Sequence, residues 1–342
     1  MKEFKVRFIA NFPLSIVYGG FEHQCVQTCI ALKSIGVDAE LLKWHDANQD
    51  DYILHLFAAD PMWARIVENW GHRGPVVISA IAGARGFRRS ANLIKNSLGY
   101  IAQLMRQETI FFRTRTLLHQ VDKIICLNRL EQDFFVRSYD LPPDKTVIIS
   151  NGVDGTRFST PGNIFTDKFA LNEFVLYVGN IIQRKNPLLV AECLNEMSLK
   201  GVFIGQQTSV ESEYGKMFEN LIRRSPNLMW IPSLDYNDPL LASAFSAANV
   251  LCLPSVSETQ PLVALEAMAA GTPVILGNYP YAYQTPFEKT MKVTPANKEE
   301  IKTAIQTAAK QSPSAIEKLS SQYDWKKIAE KMTAVYSEIL QK

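Results

Sequence analysis

Short apolar runs alternate with helical patterns along both halves of the chain, and this alternation restricts the fold more than any other feature. In the first half the predicted strands are Val6–Ala10, Ala39–Leu42, Tyr52–Leu56, Val76–Ala80, Lys123–Leu127 and Thr146–Ser150. In the second half they are Phe174–Val178, Val202–Ile204, Leu228–Ile231, Val250–Leu253, Pro273–Leu276 and Met291–Val293. Strands that alternate with helices form parallel sheets covered on both faces. The sequence therefore predicts an α/β protein with two open sheets.

Helical patterns fill the intervals between these runs. They cover Phe21–Ile35, Pro61–Trp70, Arg88–Leu118 (continuous or broken), Arg129–Ser138, Pro187–Met197, Glu211–Arg224, Pro239–Ala247, Leu262–Ala270, Lys298–Lys310 and Tyr323–Leu340. Residues 151–167 are rich in Gly, Pro, Asn, Asp and Thr, which is typical of a linker. We therefore predict domains at 1–160 and 161–322, followed by a C-terminal helix within 323–342. In open sheets of this kind, ligands bind at the carboxyl ends of the strands.

Length and composition narrow the class of protein. A chain of 342 residues is long enough for two domains. Its formal net charge of +2 gives no general basis for nucleic-acid binding. The amino terminus lacks the apolar run of a signal peptide, and no stretch of about 18 uninterrupted apolar residues is present. The five cysteines lie in apolar contexts. These features predict a cytoplasmic protein whose thiols are core residues in a reducing compartment.

The most informative stretch is residues 251–276, LCLPSVSETQPLVALEAMAAGTPVIL. It predicts a buried strand, a polar loop, a helix with Pro261 at its first position, a turn at Gly271 and a second strand. Glu258 lies in the loop, and Glu266 lies in the helix. A loop that leads into a helix presents free backbone N–H groups and the positive end of the helix dipole. This stretch is therefore a candidate anion-binding site.

The segment SETQPLVALEAMAAGTPVI resembles the E-x7-E signature of glycosyltransferase family 4, and the wider resemblance runs from about Val6 to Tyr336. It implies the GT-B fold, with two Rossmann-like domains facing across a cleft and the last helix crossing back to the N-terminal domain. It also implies an acceptor-binding first domain and a second domain that binds a UDP- or GDP-linked sugar. The implied reaction is transfer of that sugar with retention at the anomeric carbon, without a cofactor or metal.

The resemblance gives individual residues expected roles. Glu266 is expected to bind the ribose hydroxyls, and Glu258 the hydroxyls of the donor sugar or the charge that develops at its anomeric centre. Lys185 and Arg184 are expected to neutralise the departing diphosphate, since both side chains bind phosphate groups. The other residues expected to line the donor site are Gly19, Gly20, Gly179, Asn180, Gly205, Thr259, Gln260 and Leu262.

The sequence departs from the family pattern at several places. Asn180 stands where the family usually has Arg, and Asn186 stands where it has Gly. Thr259-Gln260-Pro261 replaces the more usual Gly-Phe-Gly, which removes one backbone N–H from the loop. No His follows the fourth strand, where the family often has one facing the transferred sugar. These departures leave the donor specificity and the rate open.

Residues 85–115 carry seven basic side chains, among them Arg85, Arg88 and Arg89, against a single acid. One interpretation is an ordinary core helix with a solvated basic face. The other is an acceptor-side surface for a lipid-linked phosphate or an anionic membrane leaflet. The second interpretation agrees with a glycan or lipid-linked acceptor and with a protein bound peripherally to the inner face of a membrane.

Three alternatives to a transferase remain. A non-hydrolysing GT-B nucleotide-sugar epimerase would need its own acids and a His that the motifs do not supply. A non-catalytic GT-B subunit that binds a partner transferase would accommodate Asn180 and the missing His. A dinucleotide oxidoreductase is disfavoured because the G-x-G-x-x-G fingerprint is absent.

Overall fold

The computed structural model describes residues 4–10, 19–43, 52–71, 73–81, 109–207, 213–311 and 319–341. They divide into two compact units. Unit 1 comprises Met1–Gly152 and Trp325–Lys342, and unit 2 comprises Val153–Asp324. The boundary after Gly152 lies before the predicted one at residue 160, because the Val153 N–H donates to the Tyr323 carbonyl at 2.8 Å and joins the start of unit 2 to its end.

Unit 1 contains a sheet of six parallel strands in the order β2-β1-β3-β4-β5-β6. The strands are β1 (Lys5–Ile9), β2 (Asp38–Leu41), β3 (Ile53–Phe57), β4 (Val76–Ser79), β5 (Lys123–Cys126) and β6 (Thr146–Ile148). Every residue of the three central strands β3, β4 and β5 is buried. Continuous burial is what a parallel sheet with both faces covered requires. The six strands predicted for the first half are confirmed, with small differences at their ends.

The helices of unit 1 differ from the prediction at one place. Within the described residues they are α1 (Gly20–Ser34), α2 (Trp63–Trp70), α3 (Ile110–Gln120), α4 (Arg129–Tyr139) and α11 (Trp325–Ile339). In the predicted stretch Arg88–Leu118, a helix begins at Ile110, because the Thr109 backbone is extended and its hydroxyl accepts from the Phe112 N–H at 3.2 Å. A Thr in this position caps a new helix start. Residues 82–108 lie outside the described residues.

Helix α11 packs against α1 and belongs to unit 1. The Tyr336 hydroxyl lies 2.6 Å from Nδ1 of His55 in β3, and Lys123 Nζ lies 2.9 Å from a Glu338 oxygen. A Cβ added to Gly152 would come within 2.4 Å of the Trp325 ring. The first residue of α11 is therefore in close contact with Gly152, the last residue of unit 1 before unit 2 begins. These contacts fix the last helix to the first sheet.

His55 lies in the core of unit 1 as a buried polar residue with both ring nitrogens engaged. Nδ1 faces the Tyr336 hydroxyl, and Nε2 lies 2.9 Å from the Ser79 hydroxyl. The ring stacks on Phe57 with centroids 5.1 Å apart. Burial lowers the pKa of His55 to about 3, because the charged imidazolium would be removed from water. The histidine is therefore neutral in the folded protein.

This burial predicts an acid-sensitive contribution to stability. Because the pKa of a histidine in the unfolded chain is about 6.5, the unfolded state binds the extra proton between that pH and about 3. The contribution is complete above pH ~6.5 and is lost as the pH falls, by up to about 1.4 kcal/mol per pH unit. Between pH 7.5 and 5.5, the free energy of unfolding should fall by about 1 kcal/mol more in the wild type than in His55→Gln. Equal losses in urea unfolding of the two proteins would contradict this.

Unit 2 contains a second sheet of six parallel strands in the order β12-β11-β10-β7-β8-β9. The strands are β7 (Val175–Val178), β8 (Gly201–Ile204), β9 (Leu228–Ile231), β10 (Val250–Leu253), β11 (Val274–Gly277) and β12 (Met291–Val293). The helices are α5 (Asn163–Phe169), α6 (Pro187–Glu196), α7 (Glu213–Arg224), α8 (Pro239–Ala247), α9 (Leu262–Ala270) and α10 (Lys298–Ala309). All six predicted strands and all five predicted helices of the second half are confirmed.

Helix α5 was not predicted, because its residues fall in the Gly- and Pro-rich stretch that we interpreted as a linker. Its Phe165 is fully buried, with its ring centroid 4.7 Å from that of Phe169 and 5.4 Å from that of Phe174. The Phe165 N–H also donates to the Ser243 hydroxyl of α8 at 2.9 Å. Tertiary packing against α8 thus stabilises a helix whose local sequence favours a turn.

Candidate functional site

The strand order of unit 2 reverses between β7 and β10, which are neighbours in the sheet although β8 and β9 lie between them in the chain. In open α/β sheets, the loops that leave two such strands diverge and ligands bind beside their carboxyl ends. Residues 179–186 leave β7, and residues 254–261 leave β10. Both loops carry residues that the sequence marks as candidates.

An ion cluster joins these two loops. Glu258 Oε1 lies 3.2 Å from Arg184 Nη1 and 3.4 Å from Lys185 Nζ. The Ser255 hydroxyl donates to the same oxygen at 3.1 Å. The Glu258 side chain is 12% exposed and that of Lys185 17%, so both lie below the surface but remain reachable from solvent. The structure brings together the three residues predicted to be catalytic.

Main-chain contacts hold the cluster in place. Gln183–Lys185 form a 3-10 turn, and the Arg184 carbonyl accepts from the Val256 N–H at 2.9 Å. The Arg184 guanidinium also donates to the Ser257 carbonyl. Because one loop is bonded to the other through the backbone, the two cations have a fixed position relative to Glu258.

Two glycines allow the ends of β7 and β8 to approach each other. Gly179 has φ +148° and Gly205 has φ +152°, a region that side chains rarely adopt. A Cβ on Gly205 would come within 2.1 Å of the Gly179 carbonyl oxygen, and one on Gly179 would come within 3.2 Å of the Lys185 side chain. Both predicted donor-site glycines therefore lie in the same small region as the ion cluster.

We expect Gly205→Ala to lower the free energy of unfolding of unit 2 by about 2–4 kcal/mol, because it combines backbone strain with a clash against main-chain atoms. Gly155→Ala is the matched control, since a Cβ there meets no atom within 4 Å. Urea unfolding followed by circular dichroism would measure both changes. A Gly205→Ala protein as stable as the control would show that the two loops can separate at little cost.

The structure accounts for one departure from the family pattern. Asn186 has φ +62° and ψ +34°, the left-handed conformation, and its side-chain amide donates to the Pro295 carbonyl at 2.6 Å. This conformation favours Gly, and Asn is among the few other residues that adopt it readily. Asn186 therefore preserves the turn that the family makes with glycine. Asn180 is half-buried, and its carbonyl accepts from the Tyr177 hydroxyl at 3.0 Å.

The two acids of the E-x7-E pattern lie in different local structures. Pro261 is not the first helical residue as predicted. Its backbone is extended (ψ 115°), and α9 begins at Leu262. Glu258 therefore lies wholly in the loop, whereas Glu266 lies within the helix, so the two do not share one helix face. Gly271 (φ +79°) ends the helix in the left-handed conformation, as predicted.

Glu266 is 6% exposed. Among the described residues, its carboxylate has no hydrogen-bond or salt-bridge partner. Burial raises the pKa of Glu266 to about 7, and the charge of Arg157 acts against this rise. A buried carboxylate without a partner is costly in the absence of a ligand, and it can accept hydrogen bonds from hydroxyl groups that enter the site.

The other predicted site residues are distributed as follows. Gln260 and Leu262 are buried and Thr259 is half-buried, so these side chains form part of the loop packing before α9. Gly19 precedes α1 with extended backbone, and Gly20 is the first residue of that helix, after β1 in unit 1. The predicted residues Arg85, Arg88 and Arg89 lie outside the described residues.

Two residues in this region, Tyr281 and Arg157, were not predicted. The Tyr281 hydroxyl donates to the Ser255 carbonyl at 3.1 Å and accepts from the Gly277 N–H at 3.1 Å, which fixes the start of the Glu258 loop. Arg157 follows the N-G-V-D motif, which we interpreted as structural. Its guanidinium lies 4.4 Å from the centroid of the Tyr236 ring. No motif at these positions indicates a part in a site.

Comparison with known proteins identifies this region. Residues 166–333 match the family described as glycosyl transferases group 1. The chain contains a glycosyl transferases group 1 domain. That domain spans most of unit 2 and includes the ion cluster, Glu266 and both glycines. It ends within α11, which packs on unit 1. The resemblance to glycosyltransferases stated from the sequence is confirmed.

Two relatives of known activity illustrate the similarity. A D-inositol 3-phosphate glycosyltransferase from Corynebacterium diphtheriae is 25% identical over 289 residues, which are 78% of this chain and 64% of that protein. An Escherichia coli UDP-Gal:alpha-D-GlcNAc-diphosphoundecaprenol alpha-1,3-galactosyltransferase is 29% identical over 171 residues, 46% of this chain and 42% of that protein. The matched segments thus span less than two thirds of each relative.

Solved structures share the architecture along nearly the whole chain. The sucrose-phosphate synthase from Thermosynechococcus elongatus superposes with a TM-score of 0.75 at 17% identity, covering 99% of this chain and all of that one. Anabaena HepE in complex with UDP-glucose gives a TM-score of 0.67 at 15% identity, covering 98% of this chain and all of that one. The fold of the chain is therefore GT-B, built from two Rossmann-like units, as the sequence predicted.

Two further observations concern membranes and metals. None of the helices in the described segments is both long and apolar enough to cross a membrane. Among the described residues, no three His, Cys, Asp or Glu side chains are grouped in a way that would hold a metal ion.

Proposed function

We propose that the chain transfers a sugar from a nucleotide-sugar donor and that the donor binds at the reversal point of the second sheet. The observation that carries this proposal is the cluster of Glu258, Arg184 and Lys185 between the loops that leave β7 and β10. The cluster contains two cations and one anion, so it carries one net positive charge. It lies in a glycosyl transferases group 1 domain. Its positive charge can neutralise part of the negative charge of a bound diphosphate.

The cluster suits a leaving diphosphate better than a neutral ligand. Without a ligand, both cations share one Glu258 oxygen. A diphosphate that contacts Lys185 and Arg184 would replace that oxygen with stronger negative charge and free the Glu258 carboxylate for a sugar hydroxyl. Cations already in position stabilise the negative charge that develops on the phosphate as its bond to the sugar breaks. In this arrangement Arg184 supplies the second cation, which is missing at position 180 because Asn stands there in place of the family's Arg.

We further propose that transfer occurs with retention. The acceptor oxygen forms its bond to the anomeric carbon on the face that the diphosphate leaves. The departing phosphate keeps the electron pair of the broken bond and takes the proton of the acceptor hydroxyl. The E-x7-E pattern supports this assignment, and the two cations supply charge neutralisation that some other enzymes obtain from a divalent metal.

The proposed donor is a UDP- or GDP-linked sugar, and the proposed acceptor is a glycan or a lipid-linked glycan precursor. HepE has been solved with UDP-glucose, and the galactosyltransferase relative is named for a UDP-linked donor and a diphosphoundecaprenol acceptor. A lipid-linked acceptor agrees with a protein that acts at the cytoplasmic face of a membrane in the synthesis of cell-surface polysaccharides or other glycoconjugates.

A thermal-shift screen with UDP-, GDP- and ADP-sugars tests the proposal, because a ligand at 100 times its Kd stabilises the folded state by about 2.7 kcal/mol. We expect one nucleotide class to raise the Tm of the wild type and to lose this effect in Lys185→Ala. That donor should then be consumed when a lipid-linked acceptor is added. Stabilisation without consumption would favour a non-catalytic subunit, and conversion of the donor without acceptor would favour an epimerase. No stabilisation by any donor would contradict the proposal.

A further inference from the structure

The surroundings of Glu266 contain very few charged groups. Helix α9 packs against α8, β10, β11 and the 3-10 turn Arg157–Ser159. Glu266 is the only charged residue of α9 itself, and α8 and β11 contain none. Strand β10 contributes one titratable group, the Cys252 thiol, whose pKa is raised by burial, so that it stays uncharged. Among these described elements, Arg157, on the turn that packs against α9, is the one charged side chain besides Glu266 itself.

The guanidinium of Arg157 is held in place by neutral groups. Its guanidinium donates to the carbonyls of Tyr236 and Asp238, the second at 3.1 Å, and lies over the Tyr236 ring. The Arg157 Nε is buried and without a hydrogen-bond partner, and within the described part of the chain no carboxylate forms a salt bridge with this residue. The positive charge is thus fixed next to α9 and is not cancelled by an ion pair.

We propose that Arg157 is a positioning residue of the donor site, whose fixed positive charge keeps the Glu266 carboxylate ionised and ready to accept the ribose hydroxyls. The proposal rests on the proposed function, because it assigns Glu266 to the nucleotide. It adds a residue from the segment between the two sheets, outside the E-x7-E motif. Arg157 acts through Glu266, and its own guanidinium remains engaged by the backbone of residues 236 and 238.

The physical reason is the opposition of two effects on one carboxylate. Burial favours the protonated form, which donates a hydrogen bond and therefore competes with a hydroxyl donor. A positive charge in the same low-dielectric region favours the ionised form, which accepts from two hydroxyls. With Arg157 in place, burial still raises the pKa of Glu266 to about 7, so that about half of the carboxyl is ionised at neutral pH. Loss of the charge would raise this pKa and leave the carboxyl protonated at the same pH.

The test follows the Glu266 carboxyl directly. Protein labelled with 13C-glutamate is titrated by NMR in the wild type, Arg157→Gln, Arg157→Lys and Arg224→Gln, with the Glu266 signal assigned from its loss in Glu266→Gln. Arg224 is an exposed residue at the end of α7 in the same unit, so its substitution removes one surface charge. We expect the midpoint of the Glu266 titration to rise by about one pH unit in Arg157→Gln, tenfold in proton affinity. It should stay at the wild-type value in Arg157→Lys and Arg224→Gln.

Binding provides the second measurement. UDP and GDP are titrated calorimetrically at pH 7.5 and 9.0, and the one that binds the wild type should bind Arg157→Gln about threefold more weakly at pH 7.5, with recovery at pH 9.0. An unchanged Glu266 titration in folded Arg157→Gln would overturn the inference whatever the binding result. A raised midpoint, together with wild-type protein that binds neither nucleotide, would support the charge coupling and contradict the donor assignment. The two failures are therefore distinguishable.

Discussion

Lys185→Ala is expected to reduce kcat for sugar transfer by about 100- to 1000-fold. The reason is that a cation already in position next to the leaving diphosphate is removed, and loss of one such group typically costs about 2.7–4 kcal/mol in the transition state. In the structure, Lys185 Nζ lies 3.4 Å from Glu258 Oε1 at the point where β7 and β10 diverge. Steady-state kinetics with the donor selected by thermal shift would measure the loss.

Lys200→Ala is the matched control, since Lys200 is an exposed residue of the same unit, next to the start of β8. It removes the same charge from unit 2 without touching either loop. The control should keep wild-type activity, and both variants should unfold at similar urea concentrations. Wild-type kcat in Lys185→Ala would remove Lys185 from the site and would leave the ion cluster without a role in the chemistry.

Glu266→Gln is expected to raise the stability of the protein and to weaken its binding of the nucleotide. Because the pKa of Glu266 is raised to about 7 in the folded state and is near 4.3 when unfolded, the native state binds the extra proton between these values. Stability is therefore lost as the pH rises through this window, and at pH 8 the ionised group costs on the order of 3–4 kcal/mol. A neutral amide avoids this cost, so Glu266→Gln should be more stable than the wild type at pH 8.

The same variant should bind the nucleotide more weakly. An ionised acceptor bonded to hydroxyl groups contributes about 1.5–3 kcal/mol, which corresponds to a roughly 10- to 100-fold rise in Kd. In the wild type the affinity should fall as the pH drops below about 7, and in Glu266→Gln this dependence should vanish. Calorimetry and urea unfolding on one preparation would measure both effects. A variant that is destabilised, with unchanged nucleotide affinity, would show that Glu266 is only a structural residue.

The trade between stability and binding explains why such a group is tolerated. A buried carboxylate without a partner lowers the stability of unit 2, yet it is positioned before the ligand arrives. Groups that destabilise the folded protein are commonly retained at sites where they interact favourably with a bound ligand. An exposed salt bridge such as the one between Lys298 and Glu196 is different, because both charges stay in contact with water and the pair contributes little to stability.

Much of unit 2 was predictable because its signals are local. The apolar runs of β7 to β12 are continuous, and the Pro, Gly and Glu residues between β10 and β11 mark a loop and a helix within one short stretch. The positive φ of Asn186 is likewise a local property, and the family pattern with Gly already indicates it. For these features the sequence close to the residue determines the structure.

The features that were missed depend on contacts distant in the chain. Tyr336 meets His55 across 281 residues, and no pattern near either residue indicates this. Helix α5 forms in a Gly- and Pro-rich stretch because α8 offers its Phe165 a buried position. Arg157 lies next to α9 only once both halves of unit 2 have folded. The sequence shows which residue types are present, but only the folded topology shows which of these distant residues contact each other.

The most direct test is a crystal structure of the protein with the nucleotide sugar that raises its Tm most. The account predicts diphosphate oxygens within hydrogen-bonding distance, about 3 Å, of Lys185 and Arg184, with the ribose hydroxyls on Glu266 and the sugar next to Glu258. A donor bound elsewhere, or bound with both carboxylates directed away from it, would contradict the account.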